Sequence, residues 1–203
     1  AHQNDENIPL KNDLRGFFIL IIFLFKFFLI INSIDSRIIY MKTFILLSAI
    51  PGSGKSTWAE QYRLTHENVF VVSSDEIRKE LSGKYQNFDH EKEVWDLYQQ
   101  RINYYRDNFD NVTIIADATN FQNKTRMIYA PVEGFDKKIL VVIHKPIKDV
   151  LDNNKKRNEN KIVPEEVVLR MYRLWEEPSE EVLSFFDEYQ RIDGWFDAPK
   201  VDE

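Results

Sequence analysis

Ten residues, Ser48-Ala-Ile-Pro-Gly-Ser-Gly-Lys-Ser-Thr57, constrain the fold of this chain more than any other stretch. A β-branched apolar run, Thr43–Ser48, leads into a Pro/Gly turn, and a helix-forming segment opens at Lys55. In such a strand–loop–helix unit Gly52 and Gly54 let backbone N–H groups turn inward with no Cβ in the way. The helix behind them adds its positive N-terminal dipole. Pro51, Gly52, Ser53 and Gly54 are therefore expected to cradle the phosphates of a nucleoside triphosphate. Lys55 is expected to reach the β- and γ-phosphates, Ser56 to hold Mg²⁺ through its hydroxyl, and Thr57 to assist at the α-phosphate. The pattern G-x-x-x-x-G-K-[ST] has glycine where this chain has Ala49. Alanine at the strand exit costs little if φ is negative there.

From Met41 onward short apolar runs alternate with amphipathic stretches. Thr43–Ser48, Val69–Val72, Val112–Ala116 and Ile139–His144 read as strands buried on both faces. Helices are expected over 55–64, 75–82, 90–108, 123–130, 147–157 and 164–175. In the third of these Val94, Trp95, Tyr98, Ile102, Tyr105 and Phe109 form an apolar stripe facing a sheet, as core and not as a base-stacking platform. This order predicts an α/β fold, a three-layer α/β/α sandwich around a parallel sheet. Ligands of such sheets bind outside the carboxyl ends of the strands.

The strand ends carry the candidate chemistry. Asp75, after the second strand, is placed to act as general base toward an attacking hydroxyl, or merely to complement a helix dipole. Arg78, one turn on, reads equally as a binder of a substrate anion or as a solvated surface residue. Asp117, after the third strand, is a candidate beside Mg²⁺ or a turn-forming residue. Thr119 and Asn120 either cap the next turn or touch substrate. Lys155, Lys156 and Arg157, then a polar gap, then Pro164, read as helix–lid–helix with the lid at about 153–163. A cationic lid supplies transition-state charge stabilisation; a solvated charge run is the alternative.

The first forty residues differ. Phe17–Ile31 is apolar except for Lys26. As a helix it would be about 22 Å long, short of the roughly 30 Å hydrocarbon core. The lysine adds a cost of ~2.5–3.5 kcal/mol on insertion scales. Residues 1–40 are expected to be a non-globular extension upstream of a native start at Met41, with 41–203 as the folded domain and no membrane attachment.

Charge narrows the partners. The net charge is −6, but residues 176–203 hold ten acidic and two basic side chains, so the body is close to neutral. Tight binding to long nucleic acid is not expected. With no cysteine there is neither a disulfide nor a thiolate metal site, which fits a cytoplasmic location. His2, His66, His90 and His144 show no metal spacing, and His144 reads as a packed residue.

In their order and spacing, PGSGKSTWA, SSDEIRKEL, IADATN and KKRNENKIVPEEV resemble the phosphoryl-transferase domain of 5′-hydroxyl polynucleotide kinases and the AAA-type ATP-binding proteins related to it. The resemblance covers nearly all of residues 41–190. It implies a P-loop nucleoside triphosphate hydrolase/kinase fold with Lys55 and Ser56 on MgATP, Asp75 as general base and Arg78 beside an acceptor phosphate. It further implies that Asp117 organises the site and that Arg157 is the lid arginine on the ATP phosphates. The family lid commonly reads R-N-x-x-R, whereas Asn153 stands here in place of the first arginine. The expected activity is transfer of the γ-phosphoryl group to a hydroxyl, with a polynucleotide or nucleotide 5′-hydroxyl as first acceptor. The alternatives are a kinase of a sugar, nucleotide sugar or antibiotic, and an ATP-binding switch that is not a kinase.

Overall fold

β1 (Lys42–Ser48), β2 (Val69–Ser73), β3 (Val112–Asp117), β4 (Lys137–Ile143) and β5 (Glu188–Ile192) form one sheet in the order β2-β3-β1-β4-β5. All four pairings are parallel. The computed structural model describes residues 40–194. The chain divides into two units, Ala1–Ile39 and Tyr40–Glu203, and the apolar segment Phe17–Ile31 falls in the first, outside the described residues.

The central strand β1 alternates its buried side chains between two cores. Phe44 and Leu46 join Ile114, Ala116, Leu140 and Val142 on one face. Ile45 and Leu47 join Ile115, Val141 and Ile143 on the other. Burial on both faces is why these strands read as continuous apolar runs. α1 (Lys55–Thr65) covers the second face through Ala59, Trp58 and Tyr62. α3 (Glu91–Asn108) covers the first with Val94, Tyr98 and Ile102, and Trp95, Tyr105 and Phe109 pack around them. Burying Val94 and Ile102 contributes about 1.5–3 kcal/mol each. Between these elements lie α2 (Ser74–Ser82), α4 (Asn123–Tyr129), α5 (Ile147–Lys155), α6 (Glu165–Arg173) and the short α7 (Glu180–Leu183). The three-layer α/β/α architecture with a parallel sheet is thus the one expected.

Most boundaries shift by a residue or two from the sequence reading, and two shifts matter for the site. β4 starts at Lys137 and ends at Ile143, so His144 lies beyond it and packs on Tyr172 and Trp175 with ring centroids 5.4 and 5.0 Å away. α5 stops at Lys155 because its last carbonyls are closed by the Lys156 N–H, which leaves Arg157 outside the helix. β5 and α7 are additional. β5 is an edge strand in which partly buried and exposed residues alternate, so no apolar run marks it.

Arg126, 0% exposed on α4, ties the sheet to its C-terminal covering. Its guanidinium donates to Ser48 Oγ, Asn123 Oδ1 and the carbonyls of Phe121 and Glu176, and lies 5.2 Å from the Trp175 ring. Burial pushes it down to about 10. No sequence pattern marks this residue, because its partners come from three separate segments.

Candidate functional site

The turn after β1 has the geometry that glycine supplies. Gly52 and Gly54 have φ of 89° and 95°, and Gly54 caps α1. A Cβ on Gly52 would also stand 2.4 Å from the Val150 carbonyl, so α5 packs directly against the loop. Ala49 is fully buried, and its N–H donates to the Thr119 carbonyl at 2.8 Å. Among described non-glycine residues only Asn68 and Asn120 have positive φ, so the methyl group of Ala49 meets no backbone strain. The Ser53 hydroxyl, on a residue 1% exposed, has no hydrogen-bond partner among the described residues. An inward-turned backbone with an orphaned hydroxyl suits a polyanion.

A cavity of about 220 Å³ lies over this loop, walled by Gly52, Gly54, Lys55, Asn153, Lys156 and Arg157 and floored by Ser56 and Thr57. Three cations face it. Lys156 was not singled out in sequence; the signal was the run Lys155-Lys156-Arg157 at a helix end. Asn153, where the related pattern has arginine, donates Nδ2 to the Gly52 carbonyl at 3.2 Å and fastens α5 to the loop. Asn154 is buried and exchanges hydrogen bonds with both backbone groups of Val163, which pins the base of the expected lid. The 3₁₀ turn Glu159–Lys161 crosses to α2, where Lys161 Nζ meets Glu76 Oε1 at 2.8 Å and the Tyr85 ring at 4.2 Å.

Asp117 ends β3 beside β1 and is 5% exposed. Ser56 donates to its Oδ2 at 3.1 Å, and Lys55 Nζ stands 3.6 Å from Oδ1. A hydroxyl and a carboxylate side by side are the sparse oxygen donors with which Mg²⁺, keeping most of its water, is commonly held. Among the described residues no cluster of three or more His, Asp or Glu forms a fuller metal cage.

Asp75 is half-buried in the first turn of α2 and lines two further cavities, of about 500 and 660 Å³. Its Oδ1 accepts from Arg78 Nη1 at 2.8 Å. Arg78 is 7% exposed and gives Nε and Nη2 to the two oxygens of Glu91 at 2.6 and 2.9 Å. Phe88 and Trp95 lie 5.1 and 5.6 Å from its guanidinium carbon. Burial draws the Arg78 pKa down, but Glu91 and Asp75 outweigh it and the net direction is up. Arg78 is therefore neither a solvated surface residue nor an open anion binder. Glu91 was missed in sequence because it lies thirteen residues away, across a loop.

Arg157 lines all three cavities. Burial lowers its pKa, against the opposing pull of Asp75 and Asp117. Lys55, Ser56, Asp75, Asp117 and Arg157 are thus brought together. Thr119 lines the 660 Å³ cavity. Asn120 does not face it: the residue is 4% exposed, Nδ2 donates to the Leu47 carbonyl at 3.0 Å, and its own carbonyl accepts from Ser48 Oγ. Its side chain locks the exit of β1 and does not cap the turn that follows, which was one of the two expectations for it. Among the described residues no helix is long and apolar enough to cross a membrane.

The sequence profile of a family described as AAA domain matches residues 45–178. No curated protein matches the chain in sequence. Among solved structures, a chain of the Pnkp1/Rnl/Hen1 RNA repair complex superposes with a TM-score of 0.57 at 18% identity, over 70% of this chain and 45% of that one. A second structure of the Pnkp1/Rnl/Hen1 complex gives 0.46 at 20% identity, over 62% of this chain and 46% of that one. Shikimate kinase from Acinetobacter baumannii in complex with shikimate gives 0.46 at 15%, over 78% and 86%. The chain spans less than half the length of the two repair-complex chains, and its likeness to the first is one of fold.

Proposed function

This chain belongs to the AAA domain family, and from that premise and its kinase-like P-loop domain we propose that it transfers the γ-phosphoryl group of MgATP to a hydroxyl. The observation that carries this reading is the placement of Asp75, Asp117, Lys55 and Arg157 around cavities that share lining residues. Asp75 and Arg157 line both cavities, and Asp117 holds Ser56 and Lys55 at the phosphate loop.

Ser56 and Asp117 would hold Mg²⁺, which would neutralise charge on the phosphate oxygens. The loop N–H groups and Lys55 bind and orient the triphosphate. Oδ1 of Asp75 is occupied by Arg78, which leaves Oδ2 to take the proton of the acceptor hydroxyl. The acceptor oxygen bonds to the γ-phosphorus as the bond to the β–γ bridging oxygen breaks, and ADP leaves with that electron pair. Arg157, between the donor and acceptor cavities, stabilises the charge that develops on the transferring group. The Lys161–Glu76 contact holds the lid segment across the site and limits water entry.

A polynucleotide or nucleotide 5′-hydroxyl is the first reading of the acceptor. A small-molecule acceptor is the second, favoured by the mainly apolar wall of the 660 Å³ cavity. The chain is incubated with γ-labelled ATP and, separately, 5′-hydroxyl oligonucleotides or a panel of sugars and alcohols. Label on an acceptor supports transfer, whereas free phosphate alone would replace it with the ATP-binding switch. Lys55→Ala is expected to abolish every activity, and Asp75→Ala to abolish transfer while leaving ATP bound. Transfer that survives Asp75→Ala removes Asp75 as the base.

A further inference from the structure

The cavity on the Arg78 side of Asp75 has a composition unlike that of the phosphate loop. Phe88, Ile162, Val163, Pro164, Val167 and Met171 give it an apolar wall, and Phe88 is 58% exposed, an open aromatic surface. Its volume, about 660 Å³, suits a nucleoside-sized molecule. The cation nearest the base is Arg78, and most of its N–H donors are already engaged. A guanidinium recognises phosphate by presenting a planar fork of N–H donors. Here one edge is taken by Glu91 in a two-point pair, Nη1 is taken by Asp75, and Ser74 Oγ lies 3.4 Å from the same nitrogen. Two rings, Phe88 and Trp95, lie against the guanidinium. A phosphate that takes the two-point fork of Arg78 must displace Glu91 and leave that carboxylate, partly shielded from water, without its partner. Arg170, also on the wall, is exposed, so its contact with an anion is screened by solvent.

We propose that this cavity takes a small alcohol with an apolar or aromatic body and no phosphate beside its reacting hydroxyl, and that Glu91 sets this selectivity by holding Arg78 away from the acceptor. The inference rests on the phosphotransfer reading for the identity of the reacting group. It deepens that reading by separating the small-molecule acceptor from the polynucleotide end, whose 5′-terminal nucleoside carries a phosphate on the same sugar. Glu91 acts here through Arg78 and does not itself touch the acceptor.

The test is a binding measurement, independent of turnover. The full chain, saturated with a non-hydrolysable ATP analogue, is titrated calorimetrically with thymidine and with thymidine 3′-phosphate, a pair that differs only by one phosphate. The wild type is expected to bind thymidine at least about tenfold more tightly than its phosphate. Glu91→Gln releases the fork of Arg78 and is expected to narrow or invert that ratio by about tenfold, with the affinity for the ATP analogue unchanged. Phe88→Ala, at an exposed position that does not threaten folding, is expected to weaken thymidine by about fivefold while leaving the analogue in place. Equal or tighter binding of the phosphate by the wild type overturns the proposal. So does failure of both ligands to bind at millimolar concentration, and so does a Phe88→Ala variant that binds thymidine as the wild type does. Label transfer run in parallel keeps the two readings apart: binding in the expected order with no transfer sinks the kinase and leaves the cavity assignment standing.

Discussion

Asp117 and Lys55 meet at the seam between β3 and the phosphate loop, with Nζ 3.6 Å from Oδ1 and both side chains less than a tenth exposed. Ser56 reaches the other carboxylate oxygen. One carboxylate thus restrains Lys55, the lysine proposed to bind phosphate, and stands beside the hydroxyl that would ligate the metal. Asp117→Asn keeps the size and an acceptor for Ser56 but removes the charge. The expected result is a loss of phosphoryl transfer of roughly 100-fold and a higher Mg²⁺ requirement. Metal-free ATP binding is retained or tightened, since Lys55 is no longer held by an anion. Initial rates against Mg²⁺ concentration check this; a variant with wild-type rates at low Mg²⁺ would remove Asp117 from the metal site.

Among the described residues, Arg157 is the one side chain that lines the loop cavity and both cavities beside Asp75. In the proposed transfer, a cation so placed would act on the group in flight more than on bound ATP. Arg157→Ala is expected to lower kcat by roughly 10³-fold while the ATP dissociation constant changes by less than about tenfold. Arg157→Lys keeps the charge without the fork and should fall between. Steady-state kinetics paired with nucleotide titration separate the two effects. A change in ATP binding as large as that in kcat would make Arg157 a ground-state ligand only.

The contrast between Arg157 and Arg78 shows where sequence reasoning reaches its limit. The loop, four of the strands and the amphipathic α3 were legible because each is encoded locally, by glycine spacing or by hydrophobic period. Asp75, Asp117 and Arg157 could be named because strand ends and helix ends mark them. What was not legible is set by partners distant along the chain. Arg78 was expected to face an anion, yet Glu91, brought in by α3, occupies it. Asn120 was expected to cap or to touch substrate, and its amide turns into β1. β5 was hidden because its partly buried positions are Glu188, Gln190 and Ile192, of which only Ile192 is apolar, so the strand reads as part of an acidic tail.

Arg126 gives a stability prediction independent of any activity. Its guanidinium is fully buried, and its acceptors include the Phe121 and Glu176 carbonyls and the Ser48 hydroxyl. Arg126→Met fills similar space but leaves those acceptors without a donor. It is expected to lower the unfolding free energy by about 3–5 kcal/mol. Urea titration followed by tryptophan fluorescence measures it. A variant within about 1 kcal/mol of the wild type would show that water replaces the guanidinium at little cost.

Glu177 supplies the pH dependence. It accepts from Arg191 of β5 and from Trp175 Nε1, the latter at 3.3 Å, and so fastens the edge strand to the segment after α6. The hydrogen bond from Arg191 holds its carboxyl below the usual value of 4.5. A carboxylate depressed in the folded state stabilises it fully above the unfolded pKa, and that contribution is lost as pH falls through the folded value. The melting temperature of the wild type should therefore be flat on this account above about pH 5 and decline below it. Glu177→Gln retains an acceptor but not the titration, so its melting curve should decline less steeply in that window and lie below the wild type at neutral pH. Calorimetric scans between about pH 3 and 7 read both slopes. Identical slopes in the two proteins would mean that the Glu177–Arg191 pair is too solvated to couple to folding.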